Sequence, residues 1–439
     1  MIEPDLHLPH VLVLGGGFGG LYCVRALADS QVRVTLVDRH NHHLFQPLLY
    51  QVATAALDAS DIASPLRQVF ADQANVTVLL GDAQRVIPER RVVVIDGKEV
   101  GYDALVVATG VTHTYFGHDE YEAVAPGLKT LDDALAIRGR IFSAFERAER
   151  SDDPAERQKL TTFVIVGGGP TGVELAGALA EIATETLPGE FRRIDPTRTR
   201  ILLVEAQPHL LGSYPEDLQR SAEAQLSHLG VELKLGALVQ DVDEDSVTIA
   251  GERIATGTVL WAAGVRASSL GSTLDAPLDR SGRVLVAQDL SVPKHPEIFV
   301  VGDLAAVVSG GKPVPGVAQG AIQGGQLTAE NVRRLFAGER TQPFQYFDKG
   351  SLATIGRARA VADLGFMKLT GPLAWLVWAG IHVLFLIGFR NRVSVMLSWS
   401  WAWLTRNRQA RLVLDRDLVR HALPTKRALA KTEGVKTTA

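Results

Sequence analysis

One unit, used twice, constrains this chain more than any other feature. His10-Val-Leu-Val-Leu-Gly15-Gly-Gly17-Phe18-Gly19-Gly20 runs an apolar strand into a glycine turn, and a helical pattern follows to about Ala28. Val32–Asp38 is then a second buried strand that ends in an acid. Thr162-Phe-Val-Ile-Val-Gly167-Gly-Gly169-Pro170-Thr171-Gly172 repeats the pattern, which closes at Arg200-Ile-Leu-Leu-Val-Glu205. Glycines at 15, 17 and 20 permit a tight turn, the approach of a pyrophosphate and close helix–strand packing. Phosphates then sit at a helix N-terminus, where free N–H groups and the dipole favour negative charge. Asp38 and Glu205, at the ends of equivalent strands, are placed to accept from ribose hydroxyls. A lone GxGxxG is weak, but two, each after an apolar strand and each followed by a strand-ending acid, predict an α/β chain with two Rossmann-like dinucleotide-binding domains.

Three more apolar strands end in small residues: Ala104-Leu-Val-Val-Ala108-Thr109-Gly110, Val259-Leu-Trp-Ala-Ala263-Gly264 and Ile298-Phe-Val-Val-Gly-Asp303. Small residues there let a flat cofactor pass close to the backbone, although ordinary strand-to-loop punctuation looks the same. At 439 residues the chain holds two to three domains of roughly 100–200 residues each. Its single cysteine, Cys23, excludes an intramolecular disulfide framework, a CxxC redox pair and a cysteine-only metal site. RHNHH at 39–43 has no second ligand cluster, so no metal is expected. The first ten residues have neither a basic region nor an apolar core, so no signal or transit peptide is expected and the body should stay in a reducing compartment.

The C-terminal part reads differently. From Arg390 onward there are 11 Lys/Arg and 3 Asp/Glu, which leaves −12 on residues 1–389 out of a net −4. A chain with that balance is no nucleic-acid binder, and its basic tail suggests a charged surface to meet. Leu369–Phe389 is 21 residues without Asp, Glu, Lys or Arg, and five of the six tryptophans lie between 375 and 403. By length that run spans a bilayer core of about 30 Å. One crossing would separate the nucleotide domains from the basic tail, and the return stretch Val393–Leu404 is too short. Two helices lying in the membrane interface fit better, anchored by Trp375, Trp378, Trp399, Trp401 and Trp403 with Arg390, Arg392, Arg406 and Arg408. A buried core helix or a dimer interface is the alternative.

From Val11 to about Leu414 the chain resembles the type II NADH:quinone oxidoreductases, with actinobacterial members the most alike. The likeness rests on Gly15–Gly20, HHLFQPLLYQVAT at 42–54, GGGPTGVEL at 167–175, Ala262-Ala-Gly-Val265, Val301-Gly-Asp303, AQGAIQ at 318–323 and FDKGS at 347–351. The resemblance implies FAD on the first unit, NADH on the second and a membrane quinone as acceptor, without proton pumping. It implies an FAD-binding domain of residues 1–118 and 287–345, an NADH-binding domain of 119–286 and a membrane-anchoring region of 346–439. FAD is expected on Gly15, Gly17, Phe18, Gly19, Gly20, Asp38, Arg39, Gln46, Pro47, Ala83, Ala108, Thr109, Gly110, Asp303, Ala318 and Gln319. NADH is expected on Gly167, Gly169, Pro170, Thr171, Gly172, Glu174, Glu205, Ala263 and Gly264.

Glu205 also discriminates, because a carboxylate facing the 2′ position repels a 2′-phosphate and neither Ala206 nor Gln207 offers an arginine. Glu174, read as lying in the first turn of the second helix, has a dipole role available there. The resemblance places it where nicotinamide meets flavin. Gln319 and Gln323, four apart, share a helix face, and the prolines before them suit a helix start near 316–318. In the family that stretch lines the quinone–flavin contact, and Lys349 matches a lysine near the flavin. The catalytic residues expected are therefore Glu174, Gln319, Gln323 and Lys349. The partners expected are the quinone, anionic lipid of the inner leaflet and a second copy of the chain, with the protein peripheral on the cytoplasmic side of the inner or plasma membrane. Two other readings stay open: a non-respiratory NADH-binding flavoprotein and a soluble ferredoxin-type reductase.

Overall fold

The computed structural model describes residues 8–408 and 410–413. Most of the basic tail and the first seven residues lie outside the described residues. The chain forms two compact units. One gathers the chain up to Leu44 with Ala63–Thr112 and Val265–Lys349; the other gathers Phe45–Ile62, His113–Gly264 and the chain from Gly350 on.

The first unit is built on a six-stranded sheet, ordered Ser291–Val292, His295–Val300, Ala104–Val107, His10–Leu14, Arg33–Asp38, Val76–Leu80. His10–Leu14 is buried at every position, as expected of a central parallel strand covered on both faces. It pairs in parallel with Arg33–Asp38 on one side (His10 opposite Arg33) and with Ala104–Val107 on the other (Val11 opposite Ala104). The helix Phe18–Ala26 packs closely with the helix Ala318–Phe336, where Gly325 leaves no room for a side chain: a Cβ would lie 2.2 Å from the Gly19 carbonyl oxygen.

The second unit repeats the arrangement in four strands, ordered Val231–Leu235, Arg200–Glu205, Thr162–Val166, Thr258–Trp261. Thr162 faces Arg200, and Phe163 faces Thr258, so the acid-ended strand and the small-residue strand flank the glycine-turn strand as in the first unit. The same unit carries an antiparallel sheet, Ser351–Gly356, Arg359–Asp363 and Lys368–Thr370, followed by the helices Gly371–Phe385 and Phe389–Thr405. The apolar run at 369–389 is thus broken. Leu386 leaves the helix in an extended conformation, and Gly388 turns at φ 88°. At 15 and 17 residues the two helices are about 22–26 Å long, and among the described residues no helix is long and apolar enough to cross a membrane.

Candidate active site

In the first unit, Gly15 takes φ 102°, and a Cβ there would lie 2.5 Å from the Ala108 carbonyl oxygen. Ala108, Thr109 and Gly110 follow their strand directly beneath this turn, with Ala108 N–H on the Leu14 carbonyl at 2.8 Å. Gly17, in contrast, faces open space: among the described residues, nothing beyond its own chain neighbours lies within 4 Å of where its Cβ would be. Phe18 opens the helix, Gly19 packs on Val301, and Gly20 packs on Gly15. Asp38 braces the turn, accepting Gly16 N–H on Oδ2 at 2.6 Å and His40 N–H on Oδ1 at 2.7 Å. Arg39 is exposed beside it, and Ala83 starts the strand Ala83–Ile87. His43 is buried with Nδ1 2.9 Å from the Gly16 carbonyl and its ring edge-on to Phe18; burial pushes its pKa down to about 4.

The second unit has the same cradle. Gly167 closes on the Ala262 carbonyl, with Ala263 and Gly264 following, and Gly169 again faces open space. Pro170 takes the first helical position, where a missing N–H costs nothing, and Thr171 and Gly172 complete the turn. Glu205 accepts Gly168 N–H at 2.6 Å and Gln207 N–H at 2.7 Å. Cradles of this shape, lined by backbone N–H groups at a helix start and empty of side chains, fit a pyrophosphate in both units.

Asp303, Gly316, Val317, Gly320 and Ala321 line a narrow cleft in the first unit. The helix that starts at Ala318 carries Gln319 and Gln323 on one face, as the sequence predicts. Both side chains hold the strap 347–349. Gln323 donates to the Phe347 carbonyl and accepts its N–H, each at 2.9 Å, and Gln319 accepts Lys349 N–H at 2.9 Å. Lys349 itself is exposed. Gln46 and Pro47 form a short turn in the second unit, where Gln46 Nε2 donates to the Lys129 carbonyl at 3.3 Å.

Glu174 departs from its predicted position. The helix begins at Pro170 and has no acid in its first turn, so Glu174 sits in the second, beyond the reach of a terminal dipole. It lines a partly open pocket of the second unit, where burial raises its pKa well above the usual carboxylate range against one opposing hydrogen bond from Thr354 N–H. Sequence reading missed the rest of this pocket: Tyr50 and Gln51 from the helix Leu49–Ala53, Glu181 and Glu185 farther along the Glu174 helix, and Arg408. The seven-residue step from Glu174 to Glu181 was the available signal, since it keeps two carboxyls on one helix face.

The membrane anchors predicted from sequence also divide. Trp378 is 1% exposed and stacks near Trp399, whose Nε1 donates to Gln51 Oε1 at 2.7 Å. Trp375 and Trp399 line the pocket. Arg408 is buried, paired with Glu181 at 2.8 Å and donating to the Thr54 carbonyl at 2.9 Å; Arg392 caps the carbonyls of Leu384 and Leu386. Trp378 and Arg408 are thus enclosed by protein, whereas Trp375, Trp399 and Arg392 are half-buried. Trp401, Trp403, Arg390 and Arg406 remain exposed, alongside Leu373, Leu376, Leu384, Phe389, Met396, Leu397 and Leu404. These exposed apolar side chains lie on two consecutive helices.

Two nucleotide cradles of one design, each with a braced acid, define a two-dinucleotide oxidoreductase. Pyridine nucleotide-disulphide oxidoreductase matches residues 9–325, and the NDH2 C-terminal domain matches residues 349–408. The chain is 46% identical over 434 residues to the type II NADH:quinone oxidoreductase Ndh of Mycobacterium tuberculosis, covering 94% of this chain and 93% of that one. It is 30% identical to the type II NADH:quinone oxidoreductase of Staphylococcus aureus, covering 83% and 92%. The structure of NDH2 from Plasmodium falciparum in complex with NADH superposes with a TM-score of 0.84 at 19% identity, over 93% of this chain and 100% of that one. The chain belongs to the type II NADH:quinone oxidoreductase family.

Proposed function

We propose that this protein oxidises NADH and passes the electron pair by way of FAD to a membrane quinone, without pumping protons. The observation that carries the reading is the pair of equivalent cradles, with open space at Gly17 and Gly169 and a braced acid beside each. Bound FAD supplies the redox chemistry, taking a hydride's electrons and releasing them to the acceptor. Gly15–Gly20, Asp38, Ala108–Gly110 and Asp303 are assigned to FAD, and Gly167–Gly172, Glu205, Ala263 and Gly264 to NADH. Gln319 and Gln323 are assigned to the quinone headgroup's approach, and Glu174 to the hydride- and proton-handling end. The domain assignment follows: FAD on 1–118 with 287–345, NADH on 119–286, membrane attachment on 346–439.

The exposed apolar surface of the last two helices supports peripheral attachment to the cytoplasmic leaflet, with Arg390 and Arg406 over anionic lipid. A homodimer is the assembly the family resemblance favours. Anaerobic reduction of the purified flavoprotein by NADH, followed by addition of ubiquinone or menaquinone, tests the function. Flavin reduced by NADH and reoxidised by quinone is the expected result; failure of either step would remove the reading.

A further inference from the structure

Three metal-ligating side chains from separate stretches of the first unit meet at its surface. Glu89 stands in the short turn Pro88–Arg90, Asp275 follows the turn Ser269–Thr273, and His295 opens the strand His295–Val300. One ligand atom from each lies within 4.8 Å of the other two, and among the described residues no other trio of this kind comes so close. None of the three belongs to the histidine-rich run 39–43.

His295 is the least ordinary member. Its Nε2 is buried, makes no hydrogen bond among the described residues and lies 3.5 Å from Asp275 Oδ2. That separation is close to the edge of a tetrahedral zinc site, roughly 3.3 Å for bonds of about 2.0–2.1 Å. The other ring nitrogen, Nδ1, lies 4.0 Å from Glu297 Oε1. A carboxylate behind the ring is what a metal-bound imidazole ordinarily has, because it fixes the tautomer and the ring's direction. Glu297 is itself buried and lies 3.5 Å from Arg91 Nε. Tyr102, 5% exposed, adds a second buried group whose hydroxyl makes no hydrogen bond among the described residues. Burial raises its pKa, and the charges of Glu297 and Glu89 add to the rise over the opposing charge of Arg91, so the hydroxyl stands beside the same carboxylates. Buried polar groups without partners are rare. A cation with one bound water satisfies both, the nitrogen as a ligand and the hydroxyl through the water.

We propose that Glu89, Asp275 and His295 bind a zinc ion, with water in the fourth position. One imidazole and two carboxylates suit zinc, whereas calcium and magnesium take oxygen sets. Lys294 competes for the site, since its ammonium lies 3.1 Å from Asp275 Oδ1, but that pair is exposed and worth little. Zinc there ties the turn between the strands Ala83–Ile87 and Val92–Ile95 to the start of His295–Val300, and so staples the three-stranded antiparallel sheet of this unit to its main sheet. The strand His295–Val300 is roughly 17–20 Å long and its far end leads to Asp303, so the metal serves stability at the end of the sheet opposite the cleft.

The site is independent of the NADH:quinone reading, because its readout is the metal itself. The full-length flavoprotein is freed of metal with EDTA, and zinc chloride is titrated in by calorimetry. One zinc per chain is expected at a Kd of about 10 μM or tighter, with Tm raised by several degrees at saturation. His295→Gln and Glu89→Gln should each weaken binding about thirtyfold or more and remove the rise in Tm. Lys294→Ala, which releases Asp275 from its competitor, should tighten binding about twofold to fivefold. His42→Asn, in the histidine-rich run, should change nothing. Absence of saturable binding by the parent overturns the site, as does an affinity unchanged in both His295→Gln and Glu89→Gln. Loss of zinc in His42→Asn with retention in Glu89→Gln would place the metal on the histidine-rich run and overturn it as well. Should His295→Gln not fold, the exposed positions decide: an affinity unchanged in both Glu89→Gln and Lys294→Ala overturns the assignment.

Discussion

The amide of Gly168 donates to the Glu205 carboxylate at 2.6 Å, and this bond fixes the acid against the glycine turn of the second unit. Gly16 and Asp38 make the same bond at the same length in the first unit. Each acid thus braces a turn while its remaining lone pairs stay available to a ribose. Because Glu205 is held in place, its charge cannot swing away from a 2′-phosphate. Glu205→Gln should therefore narrow the NADH preference over NADPH by about tenfold in kcat/KM, the worth of roughly 1.4 kcal/mol. Equal turnover of both cofactors by the parent protein would show that Glu205 is not the discriminator.

Gly17 and Gly169 separate cofactor binding from folding. Among the described residues, a methyl group at either position meets nothing within 4 Å beyond its own chain neighbours, so Gly17→Ala and Gly169→Ala should leave the apoprotein's Tm within a degree or two. Phosphate oxygens need that same space. Gly17→Ala should be purified largely free of FAD, and Gly169→Ala should keep FAD but raise the KM for NADH about tenfold or more. Cofactor content by absorbance and steady-state kinetics check the pair. Full FAD occupancy in Gly17→Ala would refute the cradle assignment.

The cradles were legible because everything that defines them is local: an apolar strand, a turn that only glycine fits, a helix start and an acid one strand later. The start of the Ala318 helix was legible for the same reason, from the prolines before it. The pocket around Glu174 was not, because Tyr50, Glu174, Thr354, Trp378 and Arg408 come from five stretches of chain that only tertiary packing brings together. The tryptophans misled for a further reason. Gly371–Phe385 is apolar on all sides, so no period marks which face meets protein and which meets solvent or lipid. Packing of this helix on Arg359–Asp363 decides it, burying Ala374 and Trp378 and leaving Leu373 and Leu376 outside.

His43 should make the first unit acid-sensitive. Its folded-state pKa of about 4 lies below the ordinary value of 6.5, so between those values the unfolded chain binds more protons. The stability it contributes is fully present above about pH 6.5 and is lost as pH falls toward 4. The loss reaches about 3 kcal/mol at most, at about 1.4 kcal/mol per pH unit. His43→Asn, whose amide can still donate to the Gly16 carbonyl, should flatten the fall in Tm over that range. A slope identical to the parent's would place the acid sensitivity elsewhere.

Gln323 holds the 347–349 strap through both backbone groups of Phe347. Gln323→Leu forfeits two hydrogen bonds, each worth about 0.5–1.5 kcal/mol net, and frees the strap. Quinone-driven reoxidation should fall several-fold more than flavin reduction by NADH. Stopped-flow traces of the two half-reactions distinguish this from a purely structural role, in which both would fall alike.

The outer faces of the last two helices give the sharpest test of membrane attachment. Leu376 is 60% exposed and Leu397 65%, so neither side chain contributes much to the interior. Burying each in the acyl boundary would gain about 1.5–3 kcal/mol, whereas each arginine over anionic lipid adds about 1 kcal/mol that salt screens. Raising salt should therefore loosen the protein from anionic vesicles without releasing it. Leu376→Glu with Leu397→Glu should reduce vesicle binding at least a hundredfold, keep NADH-driven flavin reduction, and leave the protein monodisperse in low salt. Trp401→Ala should weaken binding as well, since that ring is 51% exposed. Trp378→Ala should behave in the opposite way: removing a fully enclosed ring should cost about 3–5 kcal/mol of stability while sparing the lipid-facing surface. If Trp378→Ala instead abolished vesicle binding at unchanged Tm, the indole would be facing lipid and the division between buried and lipid-facing tryptophans would be wrong.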